Sequence, residues 1–427
     1  MTPALPSLLG RTLDDRFEAL AAMTDRPDQF TRLYLSPAFR QACDQVAAWM
    51  KQAGMSAKID AVGNVIGRYE GSGTGLPTLL LGSHIDTVRD AGKYDGTLGV
   101  LAAIACVQAL HDAGKRLPFA IEVHVFGNEE GVRFPTILTG SRAIAGTLDP
   151  STLDAKDPDG ISVREALKTI GCDADAWPDV ARSRDDLLGY LELHIEQGPV
   201  LEAEDLPLGI VTAINGACRY RVQVTGEAGH AGTVPMALRR DALTAAAEMA
   251  LAVERVGRSD PNLAATVGQF DITPGGSNVI PGGVRFTIDL RAPSDALRDR
   301  AAAELQDDLQ AIAEQRNVDL DVEQFYEAAA ASCSPKLIGE LEAAFGRSGI
   351  RPFLLPSGAG HDGQAVVALC PIVMLFLRCK DGISHHPAEA IDIDDAVIAV
   401  RVMLDFLVNL DPKTFGSNTF EPKRDGQ

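Results

Sequence analysis

The apolar and polar positions in the first half of the chain predict strands that alternate with helices. Residues 78–81, 119–126, 187–195 and 208–214 are predominantly apolar, which is typical of strands buried on both faces of a sheet. Residues 98–110, between the first two runs, are apolar over a length that favours a helix. This alternation predicts an α/β domain with a mostly parallel sheet flanked by helices.

The pattern changes near residue 216. Apolar and polar residues alternate over 219–224 and 284–290, as in strands with one solvated face. Further strands are predicted over 264–270 and 318–325, and helices over 236–256 and 294–315. The resulting order, β-α-β-β-α-β, is that of a ferredoxin-like unit.

The α/β pattern then returns, with a buried strand predicted over 371–377 and a helix over 393–410. We therefore expect a main domain formed by residues 1–214 and 331–427, with a second domain, residues 215–330, inserted into it. The 427 residues are enough for two such domains, each with its own core.

Composition narrows the classes of function. The net charge of −20, from 39 basic and 59 acidic residues, argues against nucleic acid and anionic membrane surfaces as partners. An anionic substrate would need a locally basic pocket. No apolar run approaches the roughly 20 residues of a membrane span, and the N-terminus has no secretory pattern. The seven cysteines are scattered along the chain, which indicates reduced thiols. We therefore expect a cytoplasmic protein.

The histidines indicate where chemistry takes place. His84 and Asp86 follow the first buried strand, and Asp95 lies further on, just before Gly96. A histidine, a carboxylate that can orient it and a second carboxylate on a glycine loop are the parts of a divalent metal site. Alone this pattern is weak, and later histidines strengthen it. Those near predicted strand ends are His84, His194, His230, His361, His385 and His386, whereas His111 and His124 are interpreted as structural.

Glu129 and Glu130 follow the strand predicted over 119–126. Two adjacent carboxylates repel each other unless cations offset them, although a solvated acidic turn is the alternative interpretation. With His84 and the later histidines available, we favour a functional role. One glutamate can ligate a metal while its neighbour takes a proton from the attacking water.

Seven motifs occur in one order along nearly the whole chain, and together they resemble a known enzyme family. The resemblance is to the two-metal amidohydrolases of the aminoacylase and carboxypeptidase superfamily. More narrowly, it is to the branch of allantoate amidohydrolases, N-carbamoyl-L-amino-acid hydrolases and β-ureidopropionases. The motifs are Ser83-His84-x-Asp86-Thr87, Tyr94-Asp95-Gly96, Glu129-Glu130-Gly131, His194-Ile195-Glu196-Gln197-Gly198-Pro199, Gly229-His230-Ala231-Gly232, Ser277-Asn278-x-x-Pro281-Gly282 and Ser384-His385-x-Pro387-x-Glu389.

The resemblance implies a catalytic α/β domain, an inserted lid that also forms a homodimer, and two divalent ions per subunit. Zinc or manganese is expected, although the same nitrogen and oxygen ligands accept cobalt or nickel. Glu129 would be the general base and Asp86 would orient His84. Whether His385 or the adjacent His386 ligates is left open. The implied metal ligands are His84, Asp95 (bridging), Glu130, His194 and His385.

The resemblance also implies the substrate contacts. His230, acting from the partner subunit, would polarise the scissile carbonyl, and Asn278 would contact the substrate. Gln197 would line the pocket. Arg291 ends the polar face of its strand, where it is either simply solvated or forms the bidentate clamp that a substrate carboxylate needs.

The implied activity is hydrolysis of the ureido C–N bond of a small anionic ureido substrate. Arg219-Tyr220 resembles the allantoate branch, which favours allantoate, with ureidoglycine, ammonia and carbon dioxide as products. Ala217, Cys218 and Val234 depart from that branch, so N-carbamoyl-L-amino acids or β-ureidopropionate stay as alternatives. Two other classes are also open. A non-catalytic binding protein should lack Glu129 or a ligand, and an aminopeptidase-like enzyme should lack the Glu-Gln-Gly-Pro motif.

Overall fold

A computed structural model describes residues 4–415, which divide into two compact units. The first unit contains the described residues up to 212, together with 333–355 and those from 361 onward. The second contains residues 213–332 and 356–360. The segment expected as an insertion, residues 215–330, lies within the second unit.

The helices and strands are as follows. The helices are α1 (Ala4–Ala21), α2 (Pro37–Gln52), α3 (Thr97–Asp112), α4 (Thr139–Ile144), α5 (Val163–Thr169), α6 (Val200–Ala203), α7 (Ala242–Gly257), α8 (Asp295–Arg316), α9 (Pro335–Arg347), α10 (Gly363–Val366) and α11 (Ile393–Asn409). The strands are β1 (Ser56–Ile59), β2 (Val65–Tyr69), β3 (Thr78–His84), β4 (Ala120–Phe126), β5 (Leu187–Ile195), β6 (Leu208–Ile214), β7 (Gly216–Thr225), β8 (Gly229–His230), β9 (Ala264–Thr273), β10 (Val279–Ile280), β11 (Gly283–Ala292), β12 (Asp319–Ala328), β13 (Ala331–Ser332), β14 (Leu354–Ser357) and β15 (Ile372–Leu377).

The large sheet has the strand order β1-β2-β4-β3-β5-β15-β6-β13, with β14 beside β6. Its central strands β4, β3, β5 and β15 are parallel, and the strands toward both edges are antiparallel. Strands β3, β4 and β15 are buried along their whole length, as their apolar sequences require. Helices α3, α9 and α11 pack on the sheet, as do α4 and α10. The predicted α/β architecture with a mostly parallel sheet is therefore confirmed.

The second unit contains an antiparallel sheet of order β12-β7-β11-β9 and the helices α7 and α8. Its main elements follow one another as β-α-β-β-α-β, and both helices share one apolar core with the inward side chains of the sheet. The first helix begins later than predicted, at Ala242. Pro235 and a short 3₁₀ turn precede it, and Asp241 caps it by accepting the amides of Leu243 and Thr244.

Two further expectations concern the whole chain. Within residues 4–415, no helix combines the length and the apolar character that a membrane span requires. Each of the seven cysteines lies in this range and is buried and free.

Candidate metal centre

The predicted site residues of the first unit collect where its parallel strands end. His84 is the last residue of β3, and His194 is the penultimate residue of β5. Glu129 and Glu130 follow β4, and His385 lies in the loop after β15. Because parallel strands have their carboxyl ends at the same edge of a sheet, residues distant in sequence meet there.

These side chains form three overlapping groups, and in each group the potential ligand atoms lie within 4.8 Å of one another. His385 takes part, whereas within the described residues His386 belongs to none of these groups. The Nδ1 of His386 instead accepts the Ala388 amide at 3.1 Å. The structure thus brings together every predicted metal ligand and the predicted base. The groups are His84, Asp95 and His194; His84, Glu129 and Glu130; and Asp95, Glu130 and His385.

Asp95 lies between two sets of ligands. Its Oδ1 is 3.4 Å from Nε2 of His84 and 3.1 Å from Nε2 of His194, and its Oδ2 is 3.2 Å from Nε2 of His385. A carboxylate that bridges two ions must present its oxygens to separate ligand sets in this way. Gly96 makes the approach possible, because its φ is 63° and a Cβ there would lie 2.5 Å from the His84 ring.

The donor atoms suit a divalent cation. Nδ1 of His84 donates to the Asp86 carbonyl at 3.0 Å, and Nδ1 of His194 donates to the Ile195 carbonyl at 2.9 Å. Both Nε2 atoms, 3.4 Å apart, therefore direct lone pairs toward the Asp95 carboxylate. Glu130 Oε1 is buried and has no hydrogen-bond partner among residues 4–415. Such converging lone pairs fit zinc or another borderline divalent metal.

Burial and neighbouring charges shift the titration of the carboxylates. Burial alone would raise the pKa of Asp95, but the neighbouring side chains of His194, His385 and His84 lower it well below its usual value. Burial raises the pKa of Glu129 well above that of an exposed carboxyl. Burial and the Asp95 carboxylate raise the pKa of Glu130 to about 7. Buried groups shifted in this manner are typical of sites that move protons or bind cations.

Asp86 acts differently from the prediction. Its carboxylate accepts the backbone amides of Glu129 and Glu130, at 3.1 and 3.2 Å. The His84 ring is held by the main-chain carbonyl of Asp86. The chain leaves β3 at His84, so the carbonyl of Asp86 comes beside the ring while its side chain reaches the loop after β4. Asp86 thus fixes the position of the two glutamates.

Glu389 is a structural member of the centre that the sequence did not single out. Its Oε1 accepts the amides of Tyr94 and Asp95 at 2.9 and 3.1 Å, and its Oε2 accepts the Ser384 hydroxyl at 3.1 Å. It therefore links the Asp95 loop to the His385 loop. Its place at the end of the last sequence motif was the available signal.

Gln197, expected to line a pocket, donates to Asp95 Oδ2 at 2.9 Å.

A second acidic layer lies behind the ligands. Glu192 Oε1 accepts the Ser83 hydroxyl at 3.0 Å, and Glu192 Oε2 accepts the Gly363 amide at 3.2 Å. Burial raises the pKa of Glu192 and, more strongly, that of the neighbouring Asp362. The His361 ring packs against His194, with centroids 4.4 Å apart. A raised pKa favours the neutral forms of these acids, and a cation at the centre would favour their charged forms.

The remaining predicted site residues belong to the second unit. His230 in β8 pairs with Val279 in β10 and therefore lies beside Asn278. The Asn278 carbonyl accepts the Ala231 amide at 2.9 Å. Arg291 is in β11 of the four-stranded sheet. Its guanidinium is bound by Asp289. The structure thus places His230 next to Asn278, and Arg291 on a separate sheet of the same unit.

Comparison with known proteins gives consistent matches. The family model of peptidase family M20/M25/M40 matches residues 80–409. An N-carbamoyl-L-amino acid amidohydrolase of Geobacillus stearothermophilus is 42% identical over 395 residues, 92% of this chain and 97% of that protein. A probable allantoate deiminase of Oryza sativa is 40% identical over 426 residues, covering 92% of this chain and 87% of the relative. The solved structure of a hydantoinase/carbamoylase family amidase from Burkholderia multivorans has a TM-score of 0.88 at 34% identity, covering 93% of this chain and 97% of that one.

Proposed function

The chain belongs to peptidase family M20/M25/M40 and is a hydrolase of carbon–nitrogen bonds, and we propose that it is a two-metal amidohydrolase of small ureido carboxylates. The observation that carries the proposal is the Asp95 carboxylate, which lies between His84 and His194 on one side and His385 on the other. Glu129, a half-buried carboxyl in the same cluster, is suited to be the base.

Metal binding is assigned to five side chains. Divalent ions held there would polarise the scissile carbonyl and make the attacking water more acidic. Zinc or manganese is proposed, and cobalt or nickel would satisfy the same donors. The side chains are His84, Asp95, Glu130, His194 and His385.

Glu129 would transfer the protons. It takes a proton from the attacking water and later delivers it to the leaving nitrogen. Asp86 contributes by holding the Glu129 and Glu130 amides, which keeps the base in place. Hydrolysis of the ureido group releases ammonia and a carbamate, and the carbamate loses carbon dioxide.

The second unit is proposed as a ferredoxin-like lid that also forms a homodimer. Its exposed His230, reaching the partner's active site, would stabilise the oxyanion that develops at the carbonyl. Asn278 and Arg291 would bind the rest of the substrate, and Gln197 would line the pocket from the first unit. The Arg291 clamp supplies the basic group that an anionic substrate needs in a protein of net charge −20.

Allantoate is the proposed substrate, with N-carbamoyl-L-amino acids or β-ureidopropionate as the alternative. Relatives named for allantoate and relatives named for N-carbamoyl amino acids have comparable identities to this chain. The choice therefore rests on the Arg219-Tyr220 pair, with Ala217, Cys218 and Val234 against it.

A substrate panel tests this function. The metal-free protein is reconstituted with zinc, manganese, cobalt or nickel, and ammonia release is measured with allantoate, N-carbamoyl-L-amino acids and N-carbamoyl-β-alanine. Glu129→Gln is the control for contaminating activity. The highest kcat/KM on allantoate supports the proposal, and a higher value on a carbamoyl acid selects the alternative. Absence of ammonia with every metal and substrate would overturn it.

A further inference from the structure

Asp289 connects two arginines in the second unit. Its Oδ1 accepts Nε of Arg291 at 2.7 Å, and its Oδ2 accepts Nη2 of Arg291 at 3.0 Å and Nε of Arg219 at 2.8 Å. Nη1 of Arg291 donates to the Gly358 carbonyl at 2.8 Å. We call Arg219, Asp289 and Arg291 the arginine group. Two cations and one anion leave this group with a positive charge, on a protein that is strongly acidic.

The strand register explains the arrangement. Asp289 lies directly opposite Arg219 in the β11–β7 ladder, where an ion pair stabilises neighbouring strands. Asp289 and Arg291 are two residues apart in β11 and share one face. The residues opposite Arg291 on both sides are Ala217 and Ala264, whose methyl groups do not cover the guanidinium. Arg291 therefore keeps 30% of its side chain exposed.

The contacts of Arg291 leave part of its guanidinium available. A guanidinium has five N–H donors. Within residues 4–415, Asp289 and the Gly358 carbonyl take three, on Nε, Nη2 and Nη1. One N–H on each terminal nitrogen remains. A carboxylate can bind two guanidinium nitrogens at once, so a substrate carboxylate can be added without displacing Asp289.

We propose that Asp289 is a positioning residue that orients Arg291 so that its two remaining N–H groups receive the substrate carboxylate. The inference rests on the proposed function, in which Arg291 is the anion site. Asp289 does not contact the substrate and acts only through Arg291. Without the Asp289 carboxylate, a flexible arginine side chain would have to be ordered by the substrate itself, at a cost in affinity.

The test compares Asp289→Asn, Asp289→Glu and Arg291→Lys. Each is assayed with whichever of allantoate and N-carbamoyl-L-alanine is hydrolysed, and with the carboxamide analogue of that acid. Glu323→Gln is the matched control. Glu323 pairs with Arg221 across β12 and β7 of the same sheet, at 2.6 Å, but does not contact Arg291.

We expect Asp289→Asn to raise KM for the acid by about tenfold with kcat nearly unchanged, because transition-state and substrate binding weaken together. The carboxamide should lose much less. Asp289→Glu should restore part of the affinity, and Glu323→Gln should behave as wild type. Arg291→Lys should lower kcat/KM for the acid by about tenfold or more. Because Asp289 acts through Arg291, adding Asp289→Asn to Arg291→Lys should have little further effect.

Other outcomes overturn the inference in distinguishable ways. A lower KM in Asp289→Asn would mean that Asp289 competes with the substrate for Arg291. Equal losses on acid and carboxamide, or full additivity with Arg291→Lys, would mean that Asp289 only supports the sheet. If Arg291→Lys discriminates acid from carboxamide but Asp289→Asn leaves KM unchanged, the positioning role alone fails. If Arg291→Lys does not discriminate, the proposed anion site at Arg291 fails, and the inference fails with it.

Discussion

The candidate metal centre of the first unit and the arginine group of the second hold their charges in opposite ways. Side-chain exposure is 2% for His84, 4% for Asp95 and 1% for His194, with His385 at the rim at 49%, whereas Asp289 and Arg291 keep 28% and 30%. Buried charges interact strongly and demand a fixed counter-charge, while partly exposed charges are screened by water and salt. This contrast fits the proposed roles, in which the centre retains its ions and the arginine group binds an anion that enters and leaves.

The two regions also differ in what keeps them in place. In the centre, main-chain carbonyls receive the imidazole Nδ1 atoms of His84 and His194. In the arginine group, the Asp289 side chain holds both arginines, and the Gly358 carbonyl adds one main-chain contact to Arg291. Removing a proposed metal ligand from the centre should consequently affect metal content and turnover together, whereas changing the arginine group should alter the affinity for the acid substrate.

The largest effect is expected from Asp95→Ala. Loss of the carboxylate that faces both ligand sets should abolish metal binding and turnover. Elemental analysis of the purified variant measures its metal content, and ammonia release measures its turnover. An unchanged metal content in Asp95→Ala would contradict the bridging assignment.

Glu129→Gln should separate chemistry from metal binding. It keeps the shape of the side chain but removes the base, so turnover should fall by about two to four decades while metal content persists. Glu130→Gln is the matched variant and should lose metal. The reverse result, with metal lost in Glu129→Gln and kept in Glu130→Gln, would exchange the two roles.

Glu389→Gln should weaken the centre without destroying it. The glutamine side chain has only one oxygen, so it can no longer accept the backbone amides of Tyr94 and Asp95 and also the Ser384 hydroxyl. Metal affinity should therefore fall by about ten- to a hundredfold. Titration calorimetry of the metal-free protein with manganese measures this, and excess metal should recover activity.

Asp157→Asn is the control for Glu389→Gln, because Asp157 also accepts two backbone amides, those of Asp159 and Ile161, but belongs to none of the ligand groups. A loss of affinity of the same size in both variants would show a general effect on folding.

The smallest effect concerns salt. Because the arginine group is partly exposed, raising the ionic strength from about 0.01 M to about 0.15 M should raise KM for the acid substrate by about twofold or more. The affinity of the buried centre for metal and the KM for the carboxamide analogue should change little. Equal salt dependence of KM for acid and carboxamide would remove the contrast between the two regions.

Much of the first unit could be predicted from its sequence. Apolar runs located β3, β4, β5 and β15, because strands buried on both faces allow few polar residues. Since ligands collect at the carboxyl ends of such strands, the positions of His84, Glu129 and Glu130 followed. The order of elements in the second unit was likewise readable from its alternating pattern. The start of α7 could not be predicted, because it depends on the N-cap at Asp241.

By itself, the sequence determined which residues stand at strand ends and which chemical groups they offer, because periodicity and residue type are local properties. Only the tertiary structure decided which of these side chains contact one another and which contact the main chain. The Asp86 carboxylate reaches the amides of Glu129 and Glu130 because β3 and β4 are neighbours. Likewise, Asp289 holds Arg219, 70 residues away, only because the register of β7 and β11 places them opposite each other. Such pairings depend on packing and strand register, which no local pattern of residues specifies.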